Sequence, residues 1–104
     1  MILNSKSIDA ASIGASINGT SIDISNGSVV SVQFIWSSGS SPVGDLIVQG
    51  SCDGTNFYTV ASQSISANSG SYIYSTNSAA YPYIRAGYTR TSGTATLTAY
   101  VALK

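Results

Sequence analysis

The sequence predicts an all-β protein, an antiparallel β-sandwich or jelly roll of about eight strands. Apolar and polar residues alternate over several short segments, which is the period of a half-buried strand. Gly, Ser and Asn clusters separate these segments, and no segment makes a credible helix. The chain of 104 residues is long enough for one core, so we expect a single domain over residues 1–104.

The N-terminal segment contains isolated isoleucines among small and polar residues. This pattern favours a short strand over residues 2–8 and another over residues 20–25. Ile13 and Ile17 have helical spacing, but the residues around them are poor helix formers. An extended arm over residues 1–19 that reaches a neighbouring subunit is the alternative interpretation.

The clearest strand covers residues 29–36 and follows a turn at Asn26-Gly27. Its even-numbered residues are all large and apolar, so they should pack against a core. These residues are Val30, Val32, Phe34 and Trp36. Trp36 should anchor that core. Residues 37–43 then predict a flexible connection.

Residues 46–60 predict a β-hairpin that turns at Asp53-Gly54. Asp-Gly between two apolar runs is a strong hairpin signal, because Gly54 can adopt a positive φ without a Cβ clash. The residues that should face the core from the first arm are Leu46, Val48 and Gly50. Either Phe57 or Tyr58 could point inward, because a bulge at Gly54 would reverse the alternation.

The rest of the chain predicts a polar loop over residues 62–71, a short strand over 72–74 and a loop over 77–80. Residues 81–90 alternate again, with an apolar face formed by Ile84, Ala86 and Tyr88. Residues 91–93 should turn the chain. The last strand has a threonine-rich face and an apolar face that consists of Ala95, Leu97, Ala99, Val101 and Leu103.

Charged residues make up only 8% of the chain, against about 25% in typical proteins, and the net charge is zero. Nucleic-acid binding is not expected, because neutralising phosphates requires a basic patch. We also expect no membrane span and no secretory signal. Low net charge promotes association, so the chain is either assembled on something larger or kept soluble by its Ser, Thr and Asn residues.

The composition also argues against an enzyme. The chain has no histidine, which removes the commonest general base, most zinc sites and the usual serine-hydrolase triads. The acidic residues are isolated from one another in sequence, and they are Asp9, Asp23, Asp45 and Asp53. Cys52 is the only cysteine, so no internal disulfide can form and an inert thiol is expected. We therefore predict no catalytic residues, no metal and no cofactor.

Three sets of side chains are nevertheless candidates for binding. Asp53, with Thr55 and Asn56, could bind calcium through loop oxygens, although an Asp that bonds its own turn is commoner. Tyrosines could stack on sugar rings, although they also suit strands and protein interfaces. The tyrosines concerned are Tyr58, Tyr72, Tyr74, Tyr81, Tyr83 and Tyr100. Arg85 and Arg90 should form surface ion pairs or contact a partner.

Two segments resemble parts of known families. Residues 48–57 resemble a hairpin of discoidin-like, galactose-binding-type jelly rolls, and residues 83–85 resemble their Tyr-Ile-Arg strand. Cys52 stands where that hairpin usually has Asn, and Phe57 stands where it usually has Trp. More of the chain, from residue 20 to residue 104, resembles small structural proteins of tailed bacteriophages.

The phage resemblance implies a virion structural protein, first of all a capsid decoration (cement) protein that stabilises the outer surface of the head. Its partners would be the major capsid protein or another virion protein, together with further copies of itself. We expect trimers first and dimers second, and synthesis in the host cytoplasm before incorporation into the virion. A carbohydrate-binding adhesion module displayed on the virion and a tail-associated structural protein are the alternatives, and an enzyme ranks below both.

Overall fold

The structure is a computed structural model that describes residues 3–12, 14–24, 29–76 and 81–103. Within these ranges every regular element is a β-strand and every pairing is antiparallel, which confirms the predicted fold class. The strands are β1 (Leu3–Ser12), β2 (Ile17–Asn18), β3 (Ile22–Asp23), β4 (Val30–Ser51), β5 (Tyr58–Ile65), β6 (Gly70–Thr76) and β7 (Tyr83–Leu103). No helix in this part of the chain is long and apolar enough to cross a membrane.

Two long strands form the centre of the molecule. β4 has 22 residues and β7 has 21, and they pair from Val30 opposite Leu103 to Ser51 opposite Tyr83. A straight strand of that length would span roughly 70 Å at about 3.3 Å per residue. The longest dimension of the molecule is only 38 Å. The β4–β7 ladder must therefore bend back on itself.

The bend lies where residues 37–44 of β4 face residues 90–96 of β7. The pairing register shifts repeatedly there, and Ser38, Ser41 and Gly93 adopt positive φ angles of 56°, 51° and 75°. The prediction of a flexible connection over 37–43 is wrong, because both strands continue through this corner and remain paired. The chain does bend at residues 91–93 as predicted, but within one strand and not between two. This continuity is one reason why the described residues contain seven strands and not about eight.

The corner divides the ladder into two layers. The first layer has the strand order β6-β4-β7-β1 and uses the N-terminal half of β4. The second uses the C-terminal half of β4 and is flanked by β5 on one side and by β2 and β3 on the other. Apolar side chains of both layers belong to one continuous core, so the layers face each other as a sandwich.

The predicted inward faces are confirmed. All four even-numbered residues from Val30 to Trp36 are buried, as are Leu46, Val48 and Gly50, and so are the apolar residues predicted for β7. Period-two alternation therefore identified the core correctly on both central strands. The predicted strand over 72–74 is confirmed as the middle of β6.

The flanking segments differ from the prediction in extent. The polar loop predicted over 62–71 is wrong at both ends, because β5 continues to Ile65 and β6 begins at Gly70. β1 is longer than the strand predicted over 2–8, and it pairs with β7 of the same chain. β3 lies inside the predicted strand over 20–25. The Asn26-Gly27 turn and the loop over 77–80 lie outside the described residues.

Candidate binding surfaces

The loop between β4 and β5 is organised by the Asp53 carboxylate. Its Oδ1 accepts the backbone N–H groups of Thr55 and Asn56 at 2.9 and 2.8 Å and the Ser51 hydroxyl at 2.9 Å. Its Oδ2 accepts the Asn56 side-chain amide at 2.8 Å. Gly54 has the predicted positive φ, at 78°. The hairpin is confirmed, with a wider turn than predicted because β5 begins only at Tyr58.

This geometry assigns Asp53 to the turn. Both carboxylate oxygens are engaged by the loop itself, which is the commoner use of an Asp in such a position. Within the described ranges, no group of three or more His, Cys, Asp or Glu side chains could hold a metal ion. Cys52 is exposed in the same loop.

The Asp53 loop should make stability depend on acidic pH. Hydrogen bonds from the backbone of Asn56 first and of Thr55 second, then from the side chains of Asn56 and Ser51, hold the pKa of Asp53 well below its ordinary value of 3.8. Since the pKa is lower in the folded state, the carboxylate stabilises the fold above about pH 3.8, and this contribution is lost as the pH falls further. We expect the Tm of the wild type to drop more steeply below that pH than the Tm of Asp53→Asn. Parallel Tm curves for the two proteins would contradict this role.

A second cluster lies on the outer face of the β5-β4-β7 layer. Arg85 donates its Nε–H to Gln49 Oε1 at 2.8 Å, and its guanidinium carbon lies 4.0 Å from the centroid of the Phe57 ring. Gln49 in turn donates to Thr59 Oγ1 at 3.3 Å. A cation over an aromatic face is attractive, so Phe57 turns toward Arg85. Tyr58 is 79% exposed. Neither Phe57 nor Tyr58 therefore points into the core, although either was expected to do so.

The two arginines have different surroundings. Arg85 contacts uncharged groups within the described residues, and this places a cation, an aromatic ring and an amide together at the sheet surface. Arg90 donates its Nε–H to the Gly93 carbonyl at 2.8 Å, and its backbone N–H bonds to Ser16 Oγ at 2.9 Å. Arg90 therefore supports the corner, whereas Arg85 is available for a surface contact.

The candidate tyrosines do not form one platform. Tyr72 stacks on Phe34 with ring centroids 6.2 Å apart, and Tyr74 and Tyr81 also pack against the core. Burial first, and the nearby Tyr74 hydroxyl second, raise the pKa of Tyr81 to about 12. The Tyr83 ring lies beside Gly54 in the Asp53 loop, and Tyr100 lies below the Lys6 ammonium at 5.6 Å. Most of these rings therefore serve packing.

The outer face of the β6-β4-β7 layer is nearly uncharged and partly apolar. Gln33 of β4 is paired with Ile73 of β6 on one side and with Tyr100 of β7 on the other. Ile73 is 58% exposed and Ile35 is 40% exposed. A shallow depression of about 270 Å³ lies on this face, and it is lined by Ser31, Gln33, Ile73, Tyr100 and Ala102. Exposed apolar surface with an aromatic residue is typical of protein contacts.

Sequence reasoning did not single out this uncharged face. The sequence feature that could have indicated this face is an isoleucine on the polar side of an alternating segment, as at Ile35 and Ile73. A single exposed isoleucine is ordinary on a protein surface, so only its grouping with other apolar and aromatic side chains is informative. Ile73 and Tyr100 lie on either side of Gln33 because of the strand order. Alternation of apolar and polar residues does not reveal that order.

No family model and no curated protein sequence matches the chain. Its fold is similar to that of the SPBc2 prophage-derived protein YomS, with a TM-score of 0.61, 11% identity, and coverage of 98% of this chain and 93% of that one. It is also similar to VP2 of infectious bursal disease virus, solved as a subviral particle (TM-score 0.60, 10% identity, 98% and 32% coverage). A third similar structure is that of a CBM4 protein (TM-score 0.55, 13% identity, 86% and 61% coverage).

At identities of 10–13% these similarities show a shared fold. They agree with the predicted sandwich, and two of the three proteins come from a prophage and a virus. The resemblance of residues 48–57 to discoidin-like hairpins stays a prediction.

Proposed function

We propose that the chain is a structural protein of a bacteriophage virion and that it binds the outer surface of the head as a decoration protein. The observation that carries the virion role is the shared fold with prophage-derived YomS, which extends over nearly all of both chains. The fold similarity to VP2, a protein of a viral particle, supports the same role.

The uncharged outer face of the β6-β4-β7 layer supports attachment to a protein shell. It offers the exposed Ile73 in one depression with Tyr100, and the exposed Ile35 two residues along β4 from Gln33. A contact centred on the two isoleucines buries apolar area, and the only charged side chain described beside it is Lys6, which lies over the Tyr100 ring. A decoration protein occupies many equivalent positions, so a modest contact at each can still stabilise the shell. The proposed partner is the major capsid protein, and no catalytic step or cofactor is involved.

The proposal predicts saturable binding to phage heads. The purified chain should co-sediment with expanded, undecorated heads of the encoding phage, reach a fixed number of copies per head, and appear as density on their outer surface. Ile35→Lys places a charge on the face, two residues along β4 from Gln33, and should weaken binding. Val43→Lys is the matched control, because Val43 is 39% exposed but lies at the corner.

One result would contradict the proposed contact face, and another would contradict the decoration role. Equal binding of the two variants would exclude this face as the contact. Density on the tail, with heads left bare, would replace decoration by a tail-associated structural role.

Carbohydrate binding is the second candidate, and the Arg85–Phe57–Gln49 cluster favours it. A ring and a guanidinium held together at a sheet surface could stack on a sugar and bond to its hydroxyl groups. The fold similarity to the CBM4 structure is compatible with this use. Retention of the chain on a glycan array, lost in Phe57→Ala, combined with no binding to heads, would make this the better proposal.

A further inference from the structure

β6 is an unprotected sheet edge. Among the described residues it pairs only with β4, in an unbroken register from Val30 opposite Thr76 to Trp36 opposite Gly70. Natural edge strands are usually blocked by charged residues, prolines or bulges, because an open edge recruits further strands. β6 contains no charged residue and no proline, and its ladder has no bulge.

The other edge strands carry such protection. β1 contains Lys6, and its ladder with β7 shifts register after Lys6 and again after Ile8. The ladder of β5 with β4 shifts between Val48 and Gln49, and β2 and β3 have only two residues each. Within the described strands, β6 is therefore the only long edge with a regular backbone.

The sequence of β6 is also symmetric. Residues 71–75 read Ser-Tyr-Ile-Tyr-Ser in both directions, with Ile73 at the centre. In an antiparallel pair of two such strands centred on Ile73, isoleucine faces isoleucine, Tyr72 faces Tyr74 and Ser71 faces Ser75. A two-fold interface has to be self-complementary in this way. No like charges meet, because the strand has none.

We propose that β6 pairs antiparallel with β6 of a second copy, about a two-fold axis at Ile73. The β6-β4-β7-β1 layers of the two copies then form one continuous sheet, with Ile73 next to its counterpart on the outer face. Residues directly opposite in an antiparallel pair have Cβ atoms about 4.5–5.5 Å apart, so the exposed isoleucines cover each other. This contact builds a dimer, which the sequence-based expectation had ranked after a trimer.

The first test is the mass of the purified chain over a dilution series, measured by analytical ultracentrifugation. We expect a concentration-dependent dimer, because pairing along one seven-residue edge makes a small interface. Ile73→Lys sets two ammonium groups opposite each other and should shift the protein to monomer. Ile35→Lys, a comparably exposed isoleucine of central strand β4, should leave the dimer intact.

A crosslinking test fixes the register and does not depend on the lysine variant being folded. In a Cys52→Ser background, Ile73→Cys places the two cysteines directly opposite each other, with Cα atoms about 4.5–5.5 Å apart, which is within the range that a disulfide can span. We expect rapid oxidation to a covalent dimer, whereas Ile35→Cys in the same background should stay largely monomeric. A wild type that is monomeric at every concentration, a dimer that survives Ile73→Lys, or equal crosslinking of the two cysteine variants would overturn the proposal. None of these measurements involves phage heads, so the dimer and the virion role succeed or fail separately.

Discussion

Replacing Trp36 by Ala should lower the free energy of unfolding by about 3–5 kcal/mol, the usual loss for a buried Trp. The Trp36 side chain is only 7% exposed, and its Nε1–H donates to the Ala67 carbonyl at 3.0 Å. Gly70 leaves room for the ring, since a Cβ at Gly70 would lie 2.8 Å from it. A domain of this size is stable by only about 5–15 kcal/mol, so this one substitution should remove a large fraction of the total.

Trp36→Phe is the control that separates packing from the hydrogen bond. It keeps an aromatic ring but leaves the Ala67 carbonyl without the indole donor, so we expect a smaller loss. Urea unfolding followed by circular dichroism measures both variants, because the chain has no other Trp for fluorescence. A loss below about 1 kcal/mol for Trp36→Ala would be far under the range for a buried Trp and would show that Trp36 does not anchor the core.

The strand faces could be predicted from sequence because they depend on local alternation. Val30 to Trp36 and Ala95 to Leu103 each keep one parity of apolar residues, and that parity is the buried one. The Asp53 loop was predictable for the same reason, since its hydrogen bonds join residues at most three positions apart.

The corner could not be predicted, because its stabilising contacts come from distant residues. Gly39 donates its backbone N–H to the Asn68 carbonyl at 2.9 Å, and Ser41 donates its backbone N–H to Asn68 Oδ1 at 3.0 Å. The Gly and Pro residues near 37–43 suit a bend and a loop equally well. The pairing with β7 and the contacts with Asn68 show that the backbone stays ordered there.

The two candidate binding surfaces could not be predicted from the sequence for a related reason. Arg85 and Gln49 are 36 positions apart and meet only because β4 and β7 pair at that register. Likewise Ile73 and Tyr100 lie on either side of Gln33 because β6 and β7 flank β4. Strand order is a tertiary property, so a pattern of alternation predicts which side chains point outward but not which of them are neighbours.

Gly93→Ala should destabilise the chain by about 2–5 kcal/mol, through backbone strain and overpacking at the corner. Gly93 has a φ of 75°, and its added Cβ would overlap the Ser41 carbonyl oxygen and lie 2.7 Å from the Pro42 Cα. Both obstacles are backbone atoms of the opposite strand, so the corner itself would have to open. Gly54→Ala is the matched control, because Gly54 has a φ of 78° but its Cβ would meet only the Tyr83 ring, at 3.4 Å. Its loss should stay near the 1–2 kcal/mol of left-handed strain alone. Equal losses for the two variants in urea unfolding would mean that the corner yields to the added Cβ without further cost.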